Sequence, residues 1–380
     1  MRTFLRPFCL MALLPVLVAQ TPANAASRLI DLHNFGGSGD GNYPSAAPTP
    51  DPHGNLFGPT QGGGTGPCTL GCGTIYELSP AGDGSYTENI IYDFQNGTPR
   101  SALSRDPSGA FYGTAYAGKF DEDALVYRIA PPSSGGSWSF STLYLFDHTT
   151  GVFLNADQPL ILRAKGAFGL TQTSGGGTLF ELTPPKNGAT PWNLHTRFTF
   201  SGASPTSIAA APHSHAIYAA IGKSIVSLAP SGTGNAPWTA TVLFSFKDGK
   251  FPSGLVTGDD GTIYGTEDAL VFSLAETTPG VWTETDLYKL HNWWPSSLLP
   301  ARDGTVLGIV SGDPDFYQGD LFRLSPPVAQ GGAWTYAQLV AFRRAPSGNP
   351  VGIAFDRSEH IFGTSNDDES SAVFTVKGTR

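Results

Sequence analysis

The residues best suited to bind a ligand in this 380-residue chain fall outside its regular tryptophan spacing. Five of the seven tryptophans recur at one position of a repeat, whereas two stand side by side. Aromatic faces beside carboxylates and amides suit sugars, because the C–H face of a sugar ring stacks while its hydroxyls form hydrogen bonds. The candidate ligand-binding residues, taken from three segments, are His291, Asn292, Trp293, Trp294, Asp313, Asp315, Phe316, Tyr317, Asp121 and Asp123. The alternative is an acidic rim that only keeps the protein dissolved.

The same aspartates are candidates for a calcium site. Calcium requires six to eight oxygen ligands, and Asp313 with Asp315, or Asp121 with Asp123, could supply part of such a shell. Neither pair completes the Asp-x-Asp-x-Asp-Gly pattern of a calcium loop. No cofactor is therefore expected, with Ca²⁺ as the alternative.

Motifs for catalysis are missing from the sequence. It contains no G-x-S-x-G, no H-E-x-x-H, no phosphate-binding loop and no four-ligand zinc pattern. Several carboxylates do share the candidate surface, and a glycoside hydrolase or lyase needs such a pair. We therefore expect a non-catalytic binding or interaction protein, with a carbohydrate-active enzyme as the alternative.

Two cysteines lie together in the glycine-rich segment GGGTGPCTLGC. An oxidising compartment would permit Cys68 and Cys72 to form a disulfide, and two free thiols are the alternative. A pair alone is not a zinc site, because structural zinc normally needs four ligands.

The rest of the chain is built from a repeated group of four strands. The segment DGTIYGT (260–266) recurs in similar form at 53–60, 108–115, 165–172, 214–221, 303–310 and 358–365, about 51 residues apart on average. A third strand of the type GTIYELSP (73–80) follows each of them, and then a fourth that opens with an aromatic residue. Short strands separated by turns indicate a β-meander, and this period predicts a propeller.

The strand count predicts seven blades. Six complete units end at Phe342, and residues 350–377 supply three more strands without a fourth. Residues 27–35 have the pattern of a fourth strand and could complete that last blade. An unpaired edge would invite aggregation. We therefore predict an all-β, seven-bladed β-propeller of four-stranded antiparallel blades, with residues 26–380 as one domain closed by the mature N-terminal strand.

These repeats resemble the GloVer tandem repeat, a family of exported bacterial proteins. Its signature is a G-x-L/I-Y-G-T strand followed by a G-T-V/L-F-x-L-T/S-P strand, from which this chain departs at Gly169–Leu170 and Ala219–Ala220. The resemblance implies a propeller-like surface or periplasmic protein. It implies no established activity and no catalytic residues.

Residues 1–25 have the features of a cleaved signal peptide. Arg2 and Arg6 precede the apolar run 8–19, and Ala23 and Ala25 fit the small-residue cleavage rule. We therefore expect a secreted or periplasmic protein, a monomer, with no membrane span after processing. Acidic residues outnumber lysine and arginine by 31 to 22, which argues against a nucleic-acid partner. A polysaccharide or an envelope protein is the expected partner.

Topology predicts which face of the propeller would bind. In an antiparallel meander the second-to-third and fourth-to-first connections share one face, and these connections hold the irregular residues. The first strands, which should line the central funnel, are small and apolar, as in SIAAAP and SGLVTG. A catalytic funnel needs convergent charges, so this composition favours binding.

Overall fold

The computed structural model is a ring of seven antiparallel sheets, as the repeat predicts. It describes residues 27–36, 39–117, 123–133, 135–164, 166–232, 236–247, 250–290, 295–313, 317–329, 331–342, 348–366 and 371–378. The predicted signal peptide lies outside these ranges. Within them no helix is long and apolar enough to cross a membrane.

Strand β1 (Arg28–Phe35) belongs to the last blade, and blade one follows it in the chain. Blades one to three have a first strand in two pieces. Their strands are β2 (Gly41–Pro44), β3 (Thr49–Pro50), β4 (Leu56–Gly63), β5 (Thr74–Pro80) and β6 (Tyr86–Asp93); β7 (Thr98–Pro99), β8 (Ser104–Arg105), β9 (Phe111–Ala117), β10 (Asp123–Ala130) and β11 (Ser139–Phe146); β12 (Phe153–Leu154), β13 (Ile161–Arg163), β14 (Gly166–Thr173), β15 (Gly176–Thr183) and β16 (Asn193–Ser201). A 3₁₀ turn at His148–Thr150 leads into blade three.

Blades four to seven have one strand at each of the four positions. The strands are β17 (Pro205–Ala210), β18 (Ile217–Ile221), β19 (Ser224–Pro230) and β20 (Trp238–Ser245); β21 (Ser253–Thr257), β22 (Ile263–Glu267), β23 (Leu270–Thr278) and β24 (Val281–Lys289); β25 (Pro295–Pro300), β26 (Val306–Asp313), β27 (Tyr317–Ser325) and β28 (Thr335–Phe342); β29 (Asn349–Phe355), β30 (Ile361–Asn366) and β31 (Ser371–Lys377).

The N-terminal strand lies beside the last strand of the chain, at the position that the repeat count assigns to it. β1 pairs with β31 in antiparallel register from Arg28 opposite Lys377 to Phe35 opposite Ser371. The resulting sheet has the order β1, β31, β30, β29. That this pairing is what holds the ring closed stays a prediction.

Packing within each blade explains the repeated glycine of the second strand. Gly265 lies opposite Phe272 of the third strand, and a Cβ added at Gly265 would meet the phenylalanine ring at 2.5 Å. The same pairing of glycine with an aromatic ring occurs in the other blades except blade four. There Ala219 lies opposite Val226, so the extra methyl group is accommodated by a smaller neighbour. The glycine pairs are Gly58 with Tyr76, Gly113 with Tyr127, Gly169 with Phe180, Gly308 with Phe322 and Gly363 with Phe374.

The repeated tryptophans pack between neighbouring blades. Trp192 of blade three lies against Tyr112 of blade two, with ring centroids 6.0 Å apart. The corresponding pairs are Trp138 with Phe57 at 5.7 Å, Trp238 with Phe168 at 5.3 Å and Trp282 with Tyr218 at 5.9 Å. Apolar clusters between blades therefore form the core, because each sheet buries both of its faces.

Candidate functional site

Most of the predicted binding surface lies outside the described residues. The structure places Asp313 and Tyr317 opposite each other at the ends of β26 and β27, but it does not describe their side chains. The residues that fall outside its ranges are Asp121, His291, Asn292, Trp293, Trp294, Asp315 and Phe316. Asp123 is the one predicted site residue whose side chain is described.

Asp123 is held by His148 of the following connection. Its Oδ1 accepts the His148 backbone N–H at 3.0 Å and lies 2.7 Å from His148 Nδ1. These contacts lower the pKa of Asp123, the backbone hydrogen bond contributing most. Asp147 completes a group of three potential metal ligands. An imidazole is a poor ligand for calcium, so this group differs from the oxygen shell that the sequence predicts.

Cys68 and Cys72 form a disulfide in the structure, with Cα atoms 5.0 Å apart. The Asp93 carboxylate ties the same loop to β6, because it accepts the Thr65 backbone N–H at 3.0 Å. The cysteines therefore belong to a folded loop rather than to a reactive site.

A groove between blades two and three has the clearest ligand-binding character in the described part of the chain. It measures about 760 Å³, within the range of small-molecule pockets. We call it the arginine groove, lined by Arg105, Asp106, Pro107, Tyr112, Arg128, Ser141, Leu143, Leu162, Arg163, Ala164, Gly166, Pro184, Gly188, Thr190 and Trp192. The turns that line it lie on the face opposite the one that the sequence predicts to bind.

Adjacent strands position a polar chain along one wall of this groove. Arg128 on β10 lies opposite Tyr112 on β9, and its Nε donates to the tyrosine hydroxyl at 3.1 Å. That hydroxyl donates to Oδ2 of Asp106 at 3.3 Å. Burial raises the pKa of Tyr112, with the Arg128 charge opposing the rise. The wall thus combines a neutral phenol with a fixed guanidinium.

Asp106 is a structural turn residue. Its Oδ1 accepts the backbone N–H groups of Ser108 at 2.8 Å and Ala110 at 3.0 Å. Burial acts to raise the pKa of its carboxyl group, but the Ser108 hydroxyl together with these backbone contacts outweighs burial and lowers the pKa. The carboxylate is therefore committed to its own turn and to Tyr112.

The arginines of the groove have no anionic partner in the ranges that the structure describes. Arg105, Arg128 and Arg163 form no ion pair there, whereas Arg197 pairs with Glu181 and Arg100 with Asp157. The Nη2 of Arg163 donates to the carbonyls of Ala211 and Ala216, both at 3.3 Å, and its Nε is buried without a hydrogen bond to any described group. The groove is thus a local concentration of positive charge on an acidic protein.

Reasoning from sequence missed this groove because its residues occupy repeat positions. Arg128 occupies the third-strand position that holds Glu77, Glu181 and Arg323 in other blades. The change in charge among blades at this one repeat position is the signal that could have identified Arg128 as a candidate. Trp192 and Tyr112 pack against each other between the blades, and both also line the groove.

A second groove, of about 820 Å³, lies between blades five and six and borders an acidic group. Glu267 is 4% exposed, and its Oε2 lies 3.3 Å from Nζ of Lys250. Glu284 nearby has a buried Oε1 without a hydrogen bond to any described residue. Burial raises the pKa of both glutamates, and Lys250 opposes the rise. A carboxyl group of raised pKa could act as a general acid.

No known family model matches the chain, and no curated protein sequence does so. Solved structures do match. Virginiamycin B lyase from Staphylococcus aureus is 15% identical with a TM-score of 0.57, over 92% of this chain and 99% of the lyase. A streptogramin B lyase is 14% identical with a TM-score of 0.61, over 94% of this chain and 99% of that one. A puromycin hydrolase is 13% identical with a TM-score of 0.53, over 85% of this chain and 50% of that one. At such identities the likeness shows the propeller fold alone.

Proposed function

We propose that this propeller is an exported binding protein that holds an acidic saccharide in the arginine groove. Three arginines without an ion pair among the described residues, beside Tyr112 and Trp192, are the observation that carries the proposal. Arginine forms bidentate, charge-assisted hydrogen bonds with carboxylates. A sugar ring can lie against an aromatic surface at the same time. The expected export signal and the GloVer resemblance support a location in the periplasm or outside the cell.

The charge of the whole protein favours this ligand over a dense polyanion. At a formal charge of −9, the protein repels a chain with a phosphate at every residue. A uronic acid carries one carboxylate on an otherwise neutral ring, so it can meet a local cationic groove. The polar wall of Arg128 and Tyr112 would receive the carboxylate and a hydroxyl.

The proposal is tested by binding of the purified mature chain to uronic-acid and neutral oligosaccharides. Arg128→Ala should weaken binding of the acidic ligand about 10- to 100-fold, since a hydrogen bond to a charged group contributes about 1.5–3 kcal/mol. The control is Arg302→Ala, in the turn between the first and second strands of blade six, where the side chain is 66% exposed. We expect the control to bind within about twofold of the parent chain, as an exposed ion pair contributes little. Equal binding of neutral and acidic ligands, or an unchanged Arg128→Ala, would refute the proposal.

A carbohydrate-active enzyme is the second candidate, and the raised pKa of Glu267 and Glu284 favours it. These glutamates could serve as acid and base at a glycosidic bond. The test is release of reducing ends or of unsaturated uronates from a polysaccharide panel. Glu267→Gln should then lower the rate at least about 100-fold. No release by the parent chain, or an equal rate in the variant, would dismiss catalysis at this site.

A further inference from the structure

The interface between the last blade and the first contains a compact group of three potential metal ligands. His33 lies on β1, Glu88 on β6, and Asp40 in the connection that leads from β1 to β2. His33 Nε2 is 3.3 Å from Asp40 Oδ2 and 3.6 Å from Glu88 Oε2. One donor atom from each residue lies within 4.8 Å of the other two. We call these residues the seam cluster.

The seam cluster occupies positions that hold stacked aromatic rings elsewhere in the ring. His33 stands two residues before Phe35 and touches it edge-on at 4.8 Å, as Tyr92 touches Phe94 at 4.8 Å. Tyr92 then stacks on Phe140 of the next blade at 4.0 Å. Between blades five and six the same positions hold Tyr288 and Tyr336, stacked at 5.1 Å. At the interface between the last blade and the first, the imidazole of His33 and the carboxylate of Glu88 replace this aromatic pair.

This replacement places polar atoms inside the interface. His33 Nε2 is buried and faces the two carboxylates without a well-aligned hydrogen bond, and Glu88 Oε1 is buried with no hydrogen bond to a described group. Asp40 and Glu88 both place a carboxyl group beside this imidazole, and a cation bound among the three would offset the repulsion between the two carboxylates.

We propose that His33, Asp40 and Glu88 bind a divalent transition-metal ion, with Zn²⁺ as the probe. Ligand atoms about 2.1 Å from a tetrahedral zinc ion lie roughly 3.4 Å apart, and the separations of 3.3 Å and 3.6 Å from His33 Nε2 bracket that value. One imidazole and two carboxylates form a donor set suited to zinc. Three protein ligands leave a fourth position for water. The ion joins β1 to β6 and so cross-links the two ends of the ring.

Calorimetric titration and thermal unfolding of the mature chain, freed of metal with EDTA, test the site. We expect one Zn²⁺ per chain at this site and an unfolding temperature that rises with zinc until the site is saturated. Glu88→Gln should weaken zinc binding at least about 10-fold, because it removes a ligand. The matched control is His148→Gln, in the group with Asp123 and Asp147, which should leave this affinity unchanged.

A second variant keeps the test decisive if Glu88→Gln folds poorly. His33→Tyr combined with Glu88→Phe recreates the stack that Tyr92 and Phe140 form at the next interface. This double variant should fold without metal, and its unfolding temperature should not respond to zinc. A response equal to that of the parent chain would overturn the assignment. So would a parent chain that does not respond to zinc, or zinc binding that only His148→Gln abolishes.

Discussion

Replacing Phe35 by alanine tests whether the N-terminal strand holds the ring closed. Phe35 ends β1 and is 8% exposed. It packs in a cluster with Leu56 and Tyr76 of blade one and with Phe362 and Val373 of blade seven. Its ring centroid lies 5.2 Å from that of Tyr76. Truncation to alanine therefore removes an apolar anchor that joins both ends of the ring.

The expected loss follows from this burial. Truncating a buried phenylalanine costs about 3–5 kcal/mol, a large share of the roughly 5–15 kcal/mol that stabilises a typical folded protein. At about 1.3 °C per kcal/mol for a domain of this length, the unfolding temperature should fall by roughly 4–7 °C. Urea unfolding followed by tryptophan fluorescence, in EDTA so that no metal contributes, gives the stability difference. The control is Phe153→Ala, at a side chain 51% exposed, which should change stability by less than about 0.5 kcal/mol.

Equal losses for the two variants would show that β1 is not anchored in the ring. Two further variants then test whether β1, once packed in the ring, is also required to keep the ring closed. Deleting residues 26–36 should expose the edge of β31 and cause aggregation. Moving the same residues to follow Arg380, by circular permutation, should restore the fold. A deletion that unfolds at the same temperature as the intact chain would contradict closure by β1.

Three other predictions concern packing, the predicted tryptophan surface and pH. Gly265→Ala should cost about 1–3 kcal/mol in urea unfolding, because the added methyl group would meet the facing aromatic ring at 2.5 Å; an unaltered midpoint would show that the blade can yield. Trp282→Ala should cost about 3–5 kcal/mol, because Trp282 is a packing residue. The double variant Trp293→Ala with Trp294→Ala should abolish ligand binding by the surface predicted around these two tryptophans and should cost less stability than that. Equal costs would place the pair in the core. Burial raises the pKa of Glu284 above its ordinary value of 4.5, so the folded chain holds this proton more tightly than the unfolded chain. The stability that this proton contributes is complete below pH 4.5 and is lost as the pH rises through the raised pKa of Glu284. The unfolding temperature of Glu284→Gln should therefore decline less steeply with rising pH than that of the parent chain. Parallel curves of unfolding temperature against pH for the two chains would contradict the assignment.

Much of the fold is readable from the sequence because local chemistry repeats. Gly265 and Phe272 recur as a pair since two adjacent strands cannot both carry bulk at one position. Trp282 keeps its place because every blade must cover its neighbour. The same regularity is sufficient to place residues 27–35 beside the last strand of the chain. Seven blades follow from counting these landmarks.

The arginine groove and the seam cluster depend on tertiary structure. Arg128 and Trp192 belong to different blades, and His33 and Glu88 lie at opposite sides of the ring seam. Each residue, viewed alone, occupies an ordinary packing position of its strand. Neighbouring blades twist and pack face to face, and only this packing decides which side chains from two repeats meet and which charges remain without a partner. Sequence periodicity therefore determines the blades, whereas the interfaces between blades determine the candidate sites.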